Sequence, residues 1–299
     1  MILPDLAELL CLPASAHLST LRTARSAQGP LQGAHQSPHR GRGLEFQEVR
    51  PYVAGDDVRV IDWRVTARRG RPHTKLFREE RERPVWLLAD LDAGMFFGSR
   101  RQTKSAVVVR ACALLAWVAS QAGDRIGAVI AGSAECRILP PRGQQRGVVE
   151  VLGSLVEMQP TSPGEPRPRN FSVALRSLAH LVRPGSAILA VSDFAGLDTQ
   201  SESIWSGLAV HSESRLLWVT DTLEKHGLPT GRYHVGLPNR TITVDGDQIR
   251  PSWQRAWHER EERINRLAQR LGTPVTQLKT SEPVAEALRA CLETWGRAA

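Results

Sequence analysis

The chain has little with which to cross-link itself. Its four cysteines in 299 residues, Cys11, Cys112, Cys136 and Cys291, are scattered, with no CxxC pair and no regular spacing. That excludes a disulfide framework and a cysteine-based zinc site and fits reduced, mostly buried thiols. No apolar run approaches the roughly 20 residues that span a bilayer; the best candidate, Ala111 to Ala119, reads as a buried helix. No basic residues precede the apolar stretch at the N-terminus, so no secretory signal is read there. Aromatic residues make up only 5%, and neither an aromatic-rich RNA-binding motif nor a Cys/His finger occurs. Phosphate loops are missing too. Gly41-Arg42-Gly43 has the first two glycines of a dinucleotide fingerprint, but no third glycine and no preceding strand, and no Walker A sequence is present. His35, His39, His73 and His211 show neither helical metal-ligand spacing nor a nucleophile partner, and are read as solvated or structural. Together these absences predict a soluble, cytoplasmic protein.

What is present is ordinary for a globular chain: 41% hydrophobic and 23% charged residues, enough for one large domain or two smaller ones. The formal net charge of +8 permits contact with an acidic surface. Arginine dominates the basic residues and acidic residues are interleaved nearly everywhere, so nucleic acid is not read as the partner.

The chain changes texture along its length, without an internal repeat. Ile2, Leu6, Leu9 and Leu10 would share one face of an N-terminal helix, and turn signals at Gln28-Gly29-Pro30 and Gln32-Gly33 follow. From His39 to Arg83 runs a dense charged block. Val58, Val60 and Ile61 suggest a short strand in it, and His73 to Phe77 another, with turns at Gly55-Asp56-Asp57 and Arg69-Gly70-Arg71-Pro72. After Pro84, buried strands alternate with amphipathic helices. Strands are expected at Val85 to Leu91, Arg125 to Ala131, Ala187 to Val191, Arg215 to Val219, Thr241 to Val244 and Pro274 to Leu278. Asp245-Gly246 reads as a hairpin signal. Helices are expected at about Thr103–Gln121, Gln145–Glu157, Ser172–Leu181, Pro251–Leu271 and Pro283–Trp295, with a Pro/Arg-rich loop over 160–169. The alternation implies βαβ units: an α/β fold with a doubly wound, mainly parallel sheet over 84–299, preceded by a β-rich segment within 1–83.

In such sheets ligands bind beyond the carboxyl ends of the strands. The first strand ends in Asp90-Leu91-Asp92-Ala93-Gly94, and the strand at 187–191 runs into Ser192-Asp193. If these strands are neighbours, Asp90, Asp92 and Asp193 converge. Crowded carboxylates need a partner, and a hard divalent cation such as Mg²⁺ would serve. Equally, Asp92 would cap the next helix and Asp193 would sit in a turn. Asp-x-Asp after an apolar strand also resembles the nucleophile and acid/base pair of haloacid-dehalogenase-like phosphatases. Gly94, however, stands where that pattern usually has Thr or Val. In the charged block, Glu45, Glu48, Asp56, Asp57 and Asp62 alternate with Arg50, Arg59, Arg64 and Arg68, beside Tyr52 and Trp63. Two readings stay open: an ion-pair network that fixes local structure, or arginine and aromatic groups offered to a partner.

The stretch from Gly41 to Arg83, GRGLEFQEVRPYVAGDDVRVIDWRVTARRGRPHTKLFREERER, resembles the signature of the bacterial domain of unknown function 58 family. The likeness continues through 87–130, VSDF (191–194) and DTLE (221–224). It implies a von Willebrand factor A-like domain and frequent genetic pairing with an AAA+ ATPase of the MoxR type. Such pairs act as chaperone-like systems that assemble or activate other proteins, so the resemblance implies a non-catalytic adaptor or co-chaperone. The partners would be a MoxR-type AAA+ ATPase and a client protein. In A-type domains a metal-ion-dependent adhesion site uses Asp-x-Ser-x-Ser, a distant Thr and a distant Asp. Here Asp90 matches the first ligand and Asp193 the distant Asp, while Asp92 and Gly94 replace the two serines. Only Ser172 stands in for the Thr. The resemblance therefore implies an altered site for Mg²⁺ or Mn²⁺ on Asp90, Asp92, Asp193 and Ser172. The charged block, read as a docking surface, would place partner contacts on Arg50, Tyr52, Asp56, Asp57, Arg59, Asp62, Trp63 and Arg68. Many relatives carry membrane helices before the signature. Nothing ahead of residue 41 is hydrophobic enough for one, so a short, soluble form is expected. The alternative from another class is an Asp-dependent phosphatase or metal-dependent hydrolase using Asp90 and Asp92.

Overall fold

The computed structural model describes residues 3–15, 44–53, 56–79, 83–164, 169–237 and 240–295. The chain divides into two units, Gly29–Glu82 and a larger one made of Met1–Gln28 with Arg83–Ala299.

The larger unit is built on a six-stranded sheet. Its strands are β3 (Pro84–Leu91), β4 (Arg125–Gly132), β5 (Cys136–Arg142), β6 (Ala187–Ser192), β7 (Glu213–Thr220) and β10 (Val275–Lys279). They lie in the order β10-β7-β6-β3-β4-β5. All neighbours are parallel except β5, which pairs antiparallel with β4 at one edge. Buried parallel strands are apolar on both faces, and every residue from Val85 to Leu91 is buried. Their side chains alternate between two cores. Val85, Leu87, Ala89 and Leu91 face α3 (Lys104–Gln121), α4 (Gln144–Met158) and α9 (Val284–Trp295). Trp86 and Leu88 belong to the opposite core, with α5 (Arg169–Leu181), α6 (Thr199–Ala209) and α8 (Gly246–Leu271). Helices thus cover both faces, which is the expected doubly wound, mainly parallel α/β fold.

Helix α1 (Leu6–Ser15) packs against α3 and α4. Leu9 is fully buried in the core, and Trp117 Nε1 donates to its carbonyl at 3.1 Å. Leu6 and Leu10 are exposed, so the helix buries a narrower stripe than the sequence suggested. The N-terminal 1–83 is accordingly not one unit: α1 belongs to the larger unit, and the signature segment falls in the smaller one.

Other expectations are corrected at element ends. Asp245-Gly246 is not a hairpin turn. The hairpin is β8 (Arg232–Leu237) with β9 (Arg240–Asp245), and Asp245 caps α8 by accepting from the Asp247 and Gln248 amides. Pro251 therefore lies inside α8, not at its start. Strand β5 and helix α6 were not expected at all.

In the smaller unit, β1 (Leu44–Pro51) pairs antiparallel with β2 (His73–Glu79). Between them lie a 3₁₀ turn at Val58–Val60 and α2 (Trp63–Arg69). The expected strand at Val58 to Ile61 is thus replaced by that turn, with only an isolated bridge from Ile61 to Thr74. The reason is local: the Asp57 side chain accepts from the Arg59 amide and winds the turn. The readings of Ile2, His35, His39 and the turns at 28–30 and 32–33 fall outside the described residues, as do the side chains of Glu45 and Glu48.

Candidate functional site

From β3 the chain runs to β4 and β5 on one side and then crosses over to β6 on the other. The strand order therefore reverses between β3 and β6, where doubly wound sheets hold ligands. Strand β3 delivers Asp90 and, just beyond its end, Asp92; β6 delivers Ser192 and Asp193. The two strands are in parallel register through Ala89 and Val191, so the expected convergence of Asp90, Asp92 and Asp193 on this rim is met.

Each carboxylate is engaged. Asp90, 5% exposed, accepts from Ser192 Oγ at 2.6 Å and from the Asp92 amide at 3.3 Å. Burial, then the neighbouring Asp193 charge, push its carboxyl up to about 7, against the pull of the Ser192 hydrogen bond. Asp92 caps the 3₁₀ turn Ala93–Met95 through the Gly94 amide. Asp193 Oδ1 accepts from the Ala195 amide at 2.9 Å. The next residue, Phe194, has φ +54°, a left-handed conformation that costs a bulky side chain about 1–2 kcal/mol. Its amide donates a hydrogen bond to Ser192 Oγ and its ring meets Phe171 edge-on.

Lys104 was not anticipated. It is one of only four lysines and the first residue of α3, after the N-cap Thr103. Its ammonium, on a residue 2% exposed, donates to Asp193 Oδ2 at 2.6 Å and to Glu224 Oε1 at 2.7 Å. Glu224 lies in α7 (Thr222–His226). Nζ also stands 5.7 Å from the centroid of the Phe97 ring. Burial works against the ammonium, but Asp193 and Glu224 outweigh it and hold Lys104 above the usual lysine value. For Asp193, burial is likewise outweighed, chiefly by Lys104, and its carboxyl is held below the usual range. The loop that delivers Lys104 is tight: a Cβ on Gly98 would run into the Gln102 carbonyl oxygen.

A second buried carboxylate organises the next loop. Asp221, after β7, accepts from Ser99 N at 2.8 Å, Ser99 Oγ at 2.5 Å, Thr280 Oγ1 at 2.5 Å and Leu223 N at 2.8 Å. These bonds outweigh burial and hold its carboxyl low.

This rim does not fit a divalent cation. The ammonium of Lys104 already bridges Asp193 and Glu224. Asp90 and Asp92 are turned to Ser192 and to the turn they cap. The Ser172 hydroxyl donates to the Gly196 carbonyl and meets Ser201 Oγ at 3.1 Å. Among the described residues no group of three or more His, Cys, Asp or Glu side chains is placed to hold a metal. A nearby cavity of about 310 Å³ is lined by Glu224, Ser252, Trp253, Ala256, Trp257 and Arg260; none of the three aspartates lines it.

The expected partner-binding residues lie in the smaller unit and divide by role. Arg50 pairs with Asp56 at 2.7 Å, Asp56 Oδ2 accepts from the Val53 amide, and Tyr52 donates its hydroxyl proton to the Asp56 carbonyl. Asp57 and Asp62 cap the 3₁₀ turn and α2. Arg59, Arg68 and Trp63 are exposed, Trp63 at 69%. The acidic members therefore build the segment, while Trp63 and two arginines face outward.

The fold and rim define a doubly wound α/β protein with a closed acidic cluster at its switch point. The chain belongs to the family described as protein of unknown function DUF58, whose model matches residues 48–263. It is 33% identical over 185 residues to the uncharacterized proteins Mb1516 of Mycobacterium bovis and Rv1480 of Mycobacterium tuberculosis. That match covers 62% of this chain and 58% of theirs, so it spans little more than half the length of these relatives. Among solved structures it resembles a conserved hypothetical protein, BatB, from Bacteroides thetaiotaomicron, with TM-score 0.44, 11% identity and coverage of 71% of this chain and 97% of that one. It also resembles an aerotolerance-related membrane protein from Bacteroides fragilis, with TM-score 0.44, 10% identity and coverage of 73% and 100%. A membrane-spanning protein from Vibrio fischeri follows, with TM-score 0.21, 17% identity and coverage of 71% and 96%. Two of these proteins are described as membrane proteins, at odds with the cytoplasmic location expected of this chain. Among the described residues, no helix is long and apolar enough to cross a membrane.

Proposed function

We propose that this chain is a non-catalytic protein-binding module, an adaptor or co-chaperone that works with a MoxR-type AAA+ ATPase on a client protein. The reading rests on the family resemblance and on a von Willebrand factor A-like interpretation of the sheet, in which the rim after β3 and β6 meets the partner. The observation that carries it is the closure of that rim. A nucleophilic or general-acid carboxylate must reach its substrate, whereas Asp90, Asp92 and Asp193 are buried and spent on Ser192, backbone amides and Lys104. The exposed Trp63, with Arg59 and Arg68, supplies a second contact surface of the residue types that dominate interface energetics.

The test is binding of the purified chain to the MoxR-type ATPase of its source genome, read by calorimetry beside turnover of p-nitrophenyl phosphate. Saturable binding that falls at least tenfold in Trp63→Ala, with no turnover, is expected. Phosphatase turnover that vanishes in Asp90→Asn, with no ATPase binding, would replace the adaptor by the hydrolase.

A further inference from the structure

An ammonium group and a divalent cation answer the same need at this rim: positive charge among carboxylates that burial forbids leaving unpaired. We infer that Lys104 is the rim's resident cation, and that its ammonium keeps Mg²⁺ and Mn²⁺ off Asp193 and Glu224. The inference deepens the proposed docking role by making the rim metal-independent, and it is tested without any partner, so the two can fail separately.

Three observations carry it. The Lys104 Nζ contacts carboxylates from two different loops, Asp193 after β6 and Glu224 in α7, at 2.6 and 2.7 Å, and the lysine is almost wholly out of solvent. A divalent ion bonded to Asp193 Oδ2 at about 2.1–2.5 Å would lie within about 5 Å of the ammonium, a like-charge contact in a poorly solvated place. The position is also wrong for a lysine on local grounds. It opens an 18-residue helix with no acidic residue in its first turn, where the helix dipole disfavours a cation. The two carboxylates, beside the Phe97 ring, hold it there. In consequence Asp193 Oδ2 and Glu224 Oε1 are taken by the ammonium, and whatever the rim binds is indifferent to chelators.

The experiment is Mn²⁺ titration of the full chain, followed by the electron paramagnetic resonance signal of free Mn²⁺ and by thermal unfolding. For the wild type, no saturable uptake at millimolar Mn²⁺ and no shift in Tm are expected. Lys104→Ala, folded by circular dichroism, is expected to take up one Mn²⁺ at least tenfold more tightly than the wild type and to gain Tm with Mn²⁺ or Mg²⁺. A purely structural lysine would lower Tm without creating a metal site. Saturable wild-type uptake that is lost in Asp193→Asn overturns the inference, as does a folded Lys104→Ala that binds no more metal than the wild type. Should Lys104→Ala not fold, the wild-type titration and Lys104→Ser decide by the same criteria.

Discussion

Replacing Asp90 by Asn tests the electrostatics of the rim. In the unfolded chain Asp90 titrates near 3.8, and in the fold its carboxyl is pushed up to about 7, first by burial and then by Asp193. Between those values the folded state holds a proton that the unfolded state has released. Asp90 therefore contributes stability that is present at low pH and is lost as pH rises from about 4 to 7. Linkage through these two values gives a loss of about 2–3 kcal/mol between pH 5 and pH 8. Asn is neutral throughout and keeps an oxygen for the Ser192 hydroxyl. The stability of Asp90→Asn relative to wild type should therefore climb by about that amount across the same interval. Other titrating groups are common to both proteins and cancel. Asp193, held low, and Lys104, held high, change state outside the window. Urea unfolding of both proteins at pH 5, 6, 7 and 8 reads the difference directly. A difference that stays flat with pH would refute the account, because Asp90 would then be ionised alike in both states.

Asp221→Ala removes the acceptor for Ser99, Thr280 and the Leu223 amide; about 2–4 kcal/mol of destabilisation in urea is expected. Leu9→Ala should cost about 2–5 kcal/mol if α1 belongs to the sheet's core, and no change in the urea midpoint would detach it. Cys112, whose thiol burial alone pushes up, should resist a thiol reagent at pH 8 until the protein unfolds. The exposed Cys11 should react at once, and mass mapping of the labelled peptides tells the two apart.

The sheet was legible because a buried parallel strand leaves a near-continuous apolar run, as Val85–Leu91 and Ala187–Val191 do. Strand β5 left no such trace. Its Pro140 and Pro141 work against a strand in the sequence, yet proline is tolerated on an edge strand, where one row of backbone groups has no partner to serve. Helix α6 was missed because its face is thin, with Trp205 and Leu208 its buried large side chains. Asp198 nonetheless caps it in the usual way. The aspartates of the rim were legible as strand-end residues. Their partners were not, since Lys104, Glu224, Ser99 and Thr280 come from distant stretches of chain and share no spacing.

One local signal did exist for Lys104: a cation in the first turn of a long helix. Dipole repulsion there is worth about 0.3–1 kcal/mol, small beside the several kcal/mol it takes to bury an ammonium. Neither cost is met locally, so a lysine that opens a buried, apolar helix implies carboxylates supplied from elsewhere in the fold. Asp90, Asp92 and Asp193 were already visible at the rim, and of these Asp193 finds its cation in this side chain. A buried pair of this kind adds little net stability over an apolar core. What it does fix is geometry: α3, the loop after β6 and α7 meet at one nitrogen.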